Sequence, residues 1–275
     1  MRYISYMENS LMQIGVPSTQ INKEPSDVAL IKIELLFGEH VRVLGYEGDW
    51  AHVKTHDQDS YDGYMDKADL VDPFEPTHRI TVRFAPVYVE PNFKNPSPSA
   101  PLYFNSVVTV EESLETPEGL MHKLRGAGWV FDSQLCAIDH RAPDFLLECL
   151  KFMDASYGYE KRGAFIDCST LVQAGCIAAG IPCPYDVKSG EMEKLGEAVE
   201  LTPDLSNLKR GDLVFWTRDK GSHVVLMVDG KNCFHATIAH KRALIQPLAT
   251  VIEEQARDNN GPVTAIRRFR DYPPV

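Results

Sequence analysis

The chain has 275 residues, 44% of them hydrophobic, and carries 28 basic and 39 acidic side chains, for a net charge of −11. This length and composition allow two or three folded domains and exclude collagen-like, low-complexity and disordered chains. No apolar stretch approaches the roughly 18 residues that a membrane-spanning helix needs. The amino-terminal sequence lacks the apolar core and cleavage site of a signal peptide. The sequence therefore predicts a cytoplasmic protein with no membrane partner.

The acidic excess lies almost wholly in the first half of the chain. Residues 1–140 hold 21 acidic and 11 basic side chains, whereas residues 141–275 hold 18 and 17. Because nucleic acid binding depends on Lys and Arg contacts with phosphate, this balance argues against a nucleic acid partner. It is compatible with a small substrate that carries an amine, although acidic side chains that only confer solubility are the simpler explanation.

The sequence of the front half, residues 1–140, predicts short β-strands. Apolar and polar residues alternate over residues 28–72, between turn signals, and a similar pattern returns 67 residues further along the chain. Two such units predict two small β-barrels, the first over residues 1–75 with an amino-terminal extension and the second over residues 76–140. The Pro- and Ser-rich residues 91–101 are expected to form a surface loop within the second unit.

The pattern changes to helices followed by strands after residue 140. Helices are predicted over residues 144–156, 168–179 and 188–199. Strands are predicted over residues 212–216, 223–228, 232–237, 245–248 and 263–269. Helices that precede an antiparallel sheet are typical of an α+β domain, which we assign to residues 141–275.

Cys168 is the leading candidate for a catalytic residue. It stands in the segment FIDCSTLVQ, residues 165–173, where the second of these helices begins. The free N–H groups and the dipole of a helix start favour a thiolate, and Asp167 and Ser169 are residue types that helix starts prefer. The competing interpretation is a small buried cysteine with a packing role, which suits Cys149, Cys176 and Cys183.

The six cysteines form no C-x-x-C pair and show no spacing typical of a zinc site. We therefore expect reduced thiols, with no metal and no other cofactor.

Two histidines provide a candidate base and its orienting partner. A cysteine nucleophile needs a base, and that base needs a partner on its other ring nitrogen. His223 begins one predicted strand and His235 lies on the next. A two-residue turn at Asp229-Gly230 would point the two rings to opposite faces of the sheet. A shared face requires a three- or five-residue connection, or a bulge.

These segments together resemble the NlpC/P60 family of papain-like cysteine peptidases over about residues 143–270. The segments that carry the resemblance are DCSTLVQ at 167–173, GDLVF at 211–215, HV at 223–224 and FHA at 234–236. The two front units resemble bacterial SH3-like barrels. Their better matches are LLFGE at 35–39 and DGY at 62–64. The implied fold is an α+β papain-like domain after two SH3-like barrels.

The resemblance also assigns roles to residues. It implies that Cys168 is the nucleophile, that His223 is the general base and then the acid, and that His235 orients His223. The substrate-binding residues that it implies are Asp167, Ser169, Ser189, Tyr64 and Glu39. Two departures concern specificity: Thr170 stands where the family usually has Gly, and residues 185–189 differ from the family's shorter run.

The implied reaction is hydrolysis of the γ-D-glutamyl–diamino acid amide bond in short murein peptides with a free N-terminal L-Ala, in cell-wall peptide recycling. Two alternatives remain open at this point. One is a cysteine amidase or acyltransferase that acts on another acyl substrate. The other is a non-catalytic SH3-like binding protein. The sequence makes no prediction about oligomeric state.

Overall fold

A computed structural model of the chain describes residues 9–56, 61–184, 190–218 and 222–269. The chain divides into two compact units, Met1–His140 and Arg141–Val275. Within the described ranges, no helix has both the length and the apolar character needed to cross a bilayer.

The first unit begins with a seven-stranded antiparallel sheet. Its strands are β1 (Leu11–Ile14), β2 (Ser18–Asn22), β3 (Ile31–Leu36), β4 (His40–Glu47), β5 (Trp50–Thr55), β6 (Asp62–Asp66) and β7 (Leu70–Val71). The strand order is β3-β2-β6-β5-β4-β1-β7. Alternate side chains of β4 and β5 are buried, including Val43 and Val53, which is the pattern expected of a sheet with one face on a core. In the described residues the edge strands do not pair with each other, so the predicted first barrel is not closed.

The rest of the first unit consists of short ladders. Its strands are β8 (His78–Ile80), β9 (Phe84–Ala85), β10 (Leu102–Tyr103), β11 (Val107–Val108), β12 (Val110–Thr116), β13 (Gly119–Leu124), β14 (Trp129–Phe131) and β15 (Leu135–Ala137). They form three small sheets, β10-β9, β11-β8-β15 and β12-β13-β14. A second barrel is therefore not confirmed. Residues 91–101 contain no helix or strand beyond one isolated bridge at Pro96, as predicted for a loop.

One hydrophobic cluster joins the two parts of the first unit. Phe37 and Phe74, with ring centroids 6.3 Å apart, pack into the same core as Ile80, Val108 and Val130. Because the core takes side chains from both sides of residue 75, the two parts share buried surface. The division of this unit into two domains at that residue stays a prediction.

The second unit has the predicted mixture of helices and antiparallel strands. Its helices are α1 (Phe145–Leu150), α2 (Cys168–Ala179) and α3 (Leu248–Arg257). Its strands are β16 (Glu197–Val199), β17 (Leu213–Trp216), β18 (His223–Met227), β19 (Asn232–Thr237), β20 (Arg242–Pro247) and β21 (Ala265–Arg268). The six strands form one sheet in the order β16-β21-β17-β18-β19-β20. Helix α2 packs on β18 and β19, which brings its first residue near the start of β18.

The predicted helix over 188–199 is wrong in its described part. That part holds only a 3-10 turn at Met192–Lys194, followed by strand β16. Gly190 and Gly196 flank the turn with φ of +74° and +58°, a left-handed backbone that ends a helix on either side. The helix predicted over residues 144–156 is shorter in the structure, because α1 ends at residue 150. Residue 248, predicted to end a strand, is instead the first residue of helix α3, which the sequence did not predict.

Gly175 sets how closely α1 and α2 approach. A Cβ at this position would overlap the Cys149 sulfur and lie 2.6 Å from the Phe145 carbonyl oxygen. We expect Gly175→Ala to lower the free energy of unfolding by about 1–3 kcal/mol in urea titrations, because overpacking outweighs the better helix propensity of Ala. The control is Gly45→Ala, whose added methyl meets open space. An equal effect of the two substitutions would contradict this explanation.

Candidate active site

Helix α2 begins at Cys168, as predicted, because a reciprocal capping box forms there. The Asp167 side chain accepts a hydrogen bond from the Thr170 backbone N–H at 2.8 Å, and the Thr170 hydroxyl accepts one from the Asp167 N–H at 3.0 Å. Such a box satisfies two backbone donors that a helix start leaves without partners. Thr170, a departure from the family pattern, therefore helps to build the turn that presents the thiol. Sequence reasoning missed this role.

The Asp167 carboxylate is buried and strongly hydrogen-bonded. Besides the Thr170 N–H, its Oδ1 accepts from the Ser169 hydroxyl at 2.9 Å. The Thr170 hydroxyl also lies 2.9 Å from Oδ1 but is closer to the Lys161 carbonyl oxygen, at 2.7 Å. Its Oδ2 accepts from the Glu160 N–H at 2.8 Å. Burial raises the pKa of the Asp167 carboxyl, and these hydrogen bonds oppose the rise.

The Cys168 residue is buried, with 7% of its surface exposed. Of the three cysteines predicted to have a packing role, Cys149 and Cys176 are 0% exposed and Cys183 is 9% exposed, so burial does not separate Cys168 from all of them. The backbone N–H of Val224, the residue after His223, lies close enough to the sulfur to favour its thiolate form. All six cysteines are free, as expected for reduced thiols. The thiol therefore lies at the junction of α2 and β18, beside the residue that follows the candidate base.

The β18–β19 hairpin places the two histidines on one face of the sheet. Its register pairs Leu226 with Phe234 and leaves a three-residue connection at 229–231. In this register His235 is a diagonal neighbour of His223, and both side chains point the same way. The odd-length connection that the argument from strand parity required is confirmed.

The two imidazoles contact each other directly. Nε2 of His223 lies 2.8 Å from Nδ1 of His235, and both residues are buried. Burial lowers the pKa of His223 to about 3, with a further contribution from the charge that His235 would carry. Burial likewise lowers the pKa of His235. Because Nε2 of His223 faces His235, Nδ1 is the ring nitrogen that remains for a role as a base.

Gln246 extends this row of side chains, and sequence reasoning missed it. Its Oε1 lies 2.7 Å from Nε2 of His235. The β19–β20 register pairs His235 with Leu244, so Gln246, two residues on, shares its face. The only signal in the sequence is a polar residue within a predicted strand. Strand pairing is needed to show that this residue meets His235.

Tyr157 is a second residue that the sequence did not point out. It is half-buried and forms an isolated bridge with Ile166, close to the start of α2. Burial raises the pKa of its phenol, and the nearby charges of Cys168 and Asp167 add to the rise. The hydroxyl therefore stays protonated and can donate a hydrogen bond beside the thiol.

Two of the other predicted substrate-binding residues, Tyr64 and Glu39, lie in the first unit. Tyr64 lies on β6 of the first unit, with its ring stacked on His52 at 4.8 Å. Glu39 lies in the turn before β4, where its carboxylate accepts from the Leu36 N–H at 2.9 Å. Ser189 and the altered run at 185–189 fall outside the described residues. Of the five predicted residues, Asp167 and Ser169 are the two described in the same unit as Cys168.

The pKa shifts predict how the thiol responds to pH. Burial, followed by the charge of Asp167, raises the pKa of Cys168 to about 12, and the pKa of His223 is about 3. Both groups are then neutral near pH 7, and the thiolate fraction grows tenfold per pH unit until the thiol pKa is reached. We expect the rate of Cys168 alkylation by iodoacetamide, followed by mass spectrometry, to rise steadily from about pH 7 to about pH 10. A plateau near neutral pH would instead indicate a stable thiolate–imidazolium pair.

The site supports nucleophilic acyl transfer through a thiol. A cysteine at a helix start, an imidazole beside it and a second imidazole that holds the first are the groups such chemistry requires. In the part of the chain that the structure describes, no group of three or more His, Cys, Asp or Glu side chains is placed to hold a metal ion.

Comparison with known proteins agrees with this chemistry. Residues 154–256 match the NlpC/P60 family, and residues 23–70 match the bacterial dipeptidyl-peptidase Sh3 domain. Two relatives, from Bacillus cereus and Bacillus subtilis, are named gamma-D-glutamyl-L-lysine dipeptidyl-peptidase. The first is 28% identical over 251 residues, which are 82% of this chain and 74% of that protein. The second is 27% identical over 250 residues, which are 82% of this chain and 79% of that protein.

A solved structure shows the same fold. The crystal structure of an NlpC/P60 family protein from Bacillus cereus has a TM-score of 0.73 at 20% identity, over 94% of this chain and 99% of that chain. The segment that matches the family contains Cys168, His223 and His235. The chain therefore contains an NlpC/P60 domain, preceded in the sequence by a bacterial SH3 domain, and it is a cysteine peptidase.

Proposed function

We propose that this peptidase hydrolyses the γ-D-glutamyl–diamino acid bond of short murein peptides that begin with a free L-Ala, in the cytoplasmic recycling of cell-wall peptides. The observation that carries the proposal is the contact between His223 and His235 beside the Cys168 thiol, at the start of α2. The printed name of the two relatives supports the choice of bond. A dipeptidyl-peptidase releases an N-terminal dipeptide, which here is L-Ala-D-Glu.

Cys168 is the proposed nucleophile. Its sulfur attacks the carbonyl carbon of the γ-glutamyl amide, while Nδ1 of His223 takes the thiol proton. His223 then gives this proton to the leaving amine, the C–N bond breaks, and a thioester remains. A water molecule, deprotonated by His223, hydrolyses the thioester and restores the thiol. His235 holds the His223 ring in place throughout.

The tetrahedral intermediate carries a negative charge on the former carbonyl oxygen. We assign its stabilisation to the backbone N–H of Cys168, at the start of α2, and to the Tyr157 hydroxyl. Because the Tyr157 phenol is held in its protonated form, it can donate to an oxyanion at neutral pH.

Tyr157→Phe tests this assignment. We expect kcat to fall by about 10²- to 10³-fold with little change in KM, because the lost hydrogen bond forms in the transition state. The control is Tyr159→Phe, since Tyr159 is 55% exposed. If both variants lost activity equally, or neither did, Tyr157 would not be an oxyanion donor.

The substrate-binding residues proposed for the peptide are Asp167, Ser169, Ser189, Tyr64 and Glu39. Of these, Tyr64 and Glu39 are proposed to bind the free amine of the substrate. The acidic balance of residues 1–140 favours a positively charged amine at this place. A blocked amine loses its charge and can no longer form an ion pair with the Glu39 carboxylate, which disfavours N-acylated peptides and intact cell wall.

The decisive experiment digests defined murein peptides and identifies the products by mass spectrometry. L-Ala-γ-D-Glu-L-Lys and its diaminopimelate counterpart are compared with their N-acetylated forms. We expect L-Ala-D-Glu and the free diamino acid from the unblocked peptides only. Equal cleavage of the N-acetylated peptides would refute recognition of the amine, and cleavage of neither form would refute the proposed bond.

A further inference from the structure

We infer that Gln246 and Glu254 are positioning residues that fix which nitrogens of the two catalytic histidines carry hydrogen. They act through His235 and ensure that Nδ1 of His223 faces the thiol as a lone pair. The inference rests on the proposed role of His223 as the base for Cys168.

A row of hydrogen bonds leads from His235 to helix α3. Gln246 Oε1 lies 2.7 Å from Nε2 of His235, and the same side chain donates from its Nε2 to Glu254 Oε1 at 3.4 Å. His240 Nε2 lies 3.2 Å from that amide nitrogen and 3.1 Å from that carboxylate oxygen. Gln246 is 8% exposed, so its amide depends on these protein partners.

Glu254 determines which way the Gln246 amide points. An ionised carboxylate only accepts hydrogen bonds, whereas an amide has a donating and an accepting end. The NH₂ group therefore faces Glu254, and the oxygen faces His235. Turning the amide would place two oxygens 3.4 Å apart and cost a charge-assisted hydrogen bond. His240 can accept from the amide or donate to the carboxylate, and both arrangements keep the same amide orientation.

The amide orientation then sets the tautomer of each histidine in turn. An oxygen that only accepts requires hydrogen on Nε2 of His235. A neutral imidazole carries one hydrogen, so Nδ1 of His235 is an acceptor and Nε2 of His223 must donate to it. Nδ1 of His223 then has a free lone pair for the thiol proton. With the amide turned, every hydrogen in the row reverses and an N–H faces the sulfur, where it cannot act as a base.

Burial keeps the imidazole rings of both His223 and His235 neutral. It lowers the pKa of His223 and of His235, so each ring has one hydrogen to place. The charge of Glu254 also acts on His235, since it opposes the fall of that pKa. The carboxylate and the buried ring are therefore close enough to interact electrostatically.

The first test is Glu254→Gln, which removes the group that only accepts. We expect kcat on the murein peptide to fall about 10- to 100-fold while KM changes less than about twofold. Alkylation of Cys168 by iodoacetamide at a fixed neutral pH should slow in parallel. The matched control is Glu253→Gln, the exposed neighbour on the same helix, which should change neither rate. An unchanged alkylation rate in Glu254→Gln overturns the inference.

The second test exchanges the two side chains. In the double variant Gln246→Glu/Glu254→Gln, the carboxylate at 246 can only accept from His235, and the new amide at 254 can donate to it. We expect this exchange to recover most of the kcat that Glu254→Gln loses. Recovery distinguishes a positioning role from a packing role, because both variants alter the same packing. A double variant as slow as Glu254→Gln overturns the inference.

The third measurement reads the tautomers directly. In ¹⁵N-labelled Cys168→Ala protein, we expect a pyridine-type Nδ1 and a pyrrole-type Nε2 for His223. Adding Glu254→Gln should produce a mixture of both tautomers, and an unchanged spectrum overturns the inference. The alkylation and ¹⁵N readouts need no substrate. If the wild-type protein cleaves no murein peptide, the proposed function fails while these two measurements still decide the role of Glu254.

Discussion

Cys168→Ala is expected to lower kcat by at least about 10⁴-fold while the protein keeps its fold. The proposed nucleophile is lost, but the helix start does not depend on it, because the capping box is made by Asp167 and Thr170. Activity is measured on L-Ala-γ-D-Glu-L-Lys and the fold by circular dichroism. The matched control is Cys136→Ala in the first unit, which should keep wild-type kcat. Substantial cleavage by Cys168→Ala would mean that another group performs the attack.

The residues of the site should also behave as one unit. Because the thiol is inactive without its base, we expect Cys168→Ala/His223→Ala to be no slower than either single variant. Additive losses would instead indicate that His223 acts on a separate step.

Asp212→Asn is expected to lower the free energy of unfolding by about 1–3 kcal/mol, because it leaves the partners of a buried carboxylate poorly satisfied, while the Arg268 side chain is 31% exposed and keeps some contact with solvent. Asp212 is 0% exposed, and its two carboxylate oxygens accept from Arg268 Nε at 2.6 Å and from an Arg268 terminal nitrogen at 2.7 Å. The Lys209 backbone N–H adds a third hydrogen bond at 2.8 Å. Asn replaces one acceptor oxygen by a donor, which leaves the guanidinium poorly paired. Urea titration followed by tryptophan fluorescence measures the loss.

The matched control for Asp212→Asn is Asp154→Asn. The Asp154–Arg242 pair in the same unit is exposed, with side chains 67% and 54% accessible. Surface pairs contribute at most about 1 kcal/mol, so this variant should be close to wild type. Asp154 has a positive φ of 59°, which Asn tolerates. Equal losses in the two variants would show that burial of the Asp212 pair is not what matters.

Local signals in the sequence were sufficient to predict the helix that carries the proposed nucleophile. Asp167 starts α2, and Gly180, at a left-handed φ of 73°, stops it, so both ends follow from neighbouring residues. Strand β19 and the odd-length turn before it were also predictable, because side-chain parity is a property of consecutive residues. The prediction of a helix over 188–199 was wrong. The charges of this segment suggested a helix, but Gly190 and Gly196, which lie within it at positive φ, prevent one.

The sequence could not show whether the two predicted front barrels close. Alternating residues predict strands, but not which edges pair, and the strand order of the first unit leaves its edges apart in the described residues. The shared core around Phe37 and Phe74 likewise depends on long-range packing. Tyr64 and Glu39 are therefore placed on their strand and turn by the structure, while their substrate role stays a proposal.

The amino-acid sequence by itself determined the chemistry: a thiol at a helix start, two histidines on adjoining strands, and the spacing that identifies the family. Only the tertiary structure decided which side chains contact the second histidine. Gln246 reaches His235 through the β19–β20 register, and Glu254 reaches Gln246 from a helix that the sequence did not reveal. The physical reason is that a hydrogen-bond direction depends on which atoms meet in space, and residues far apart in the chain meet only after folding.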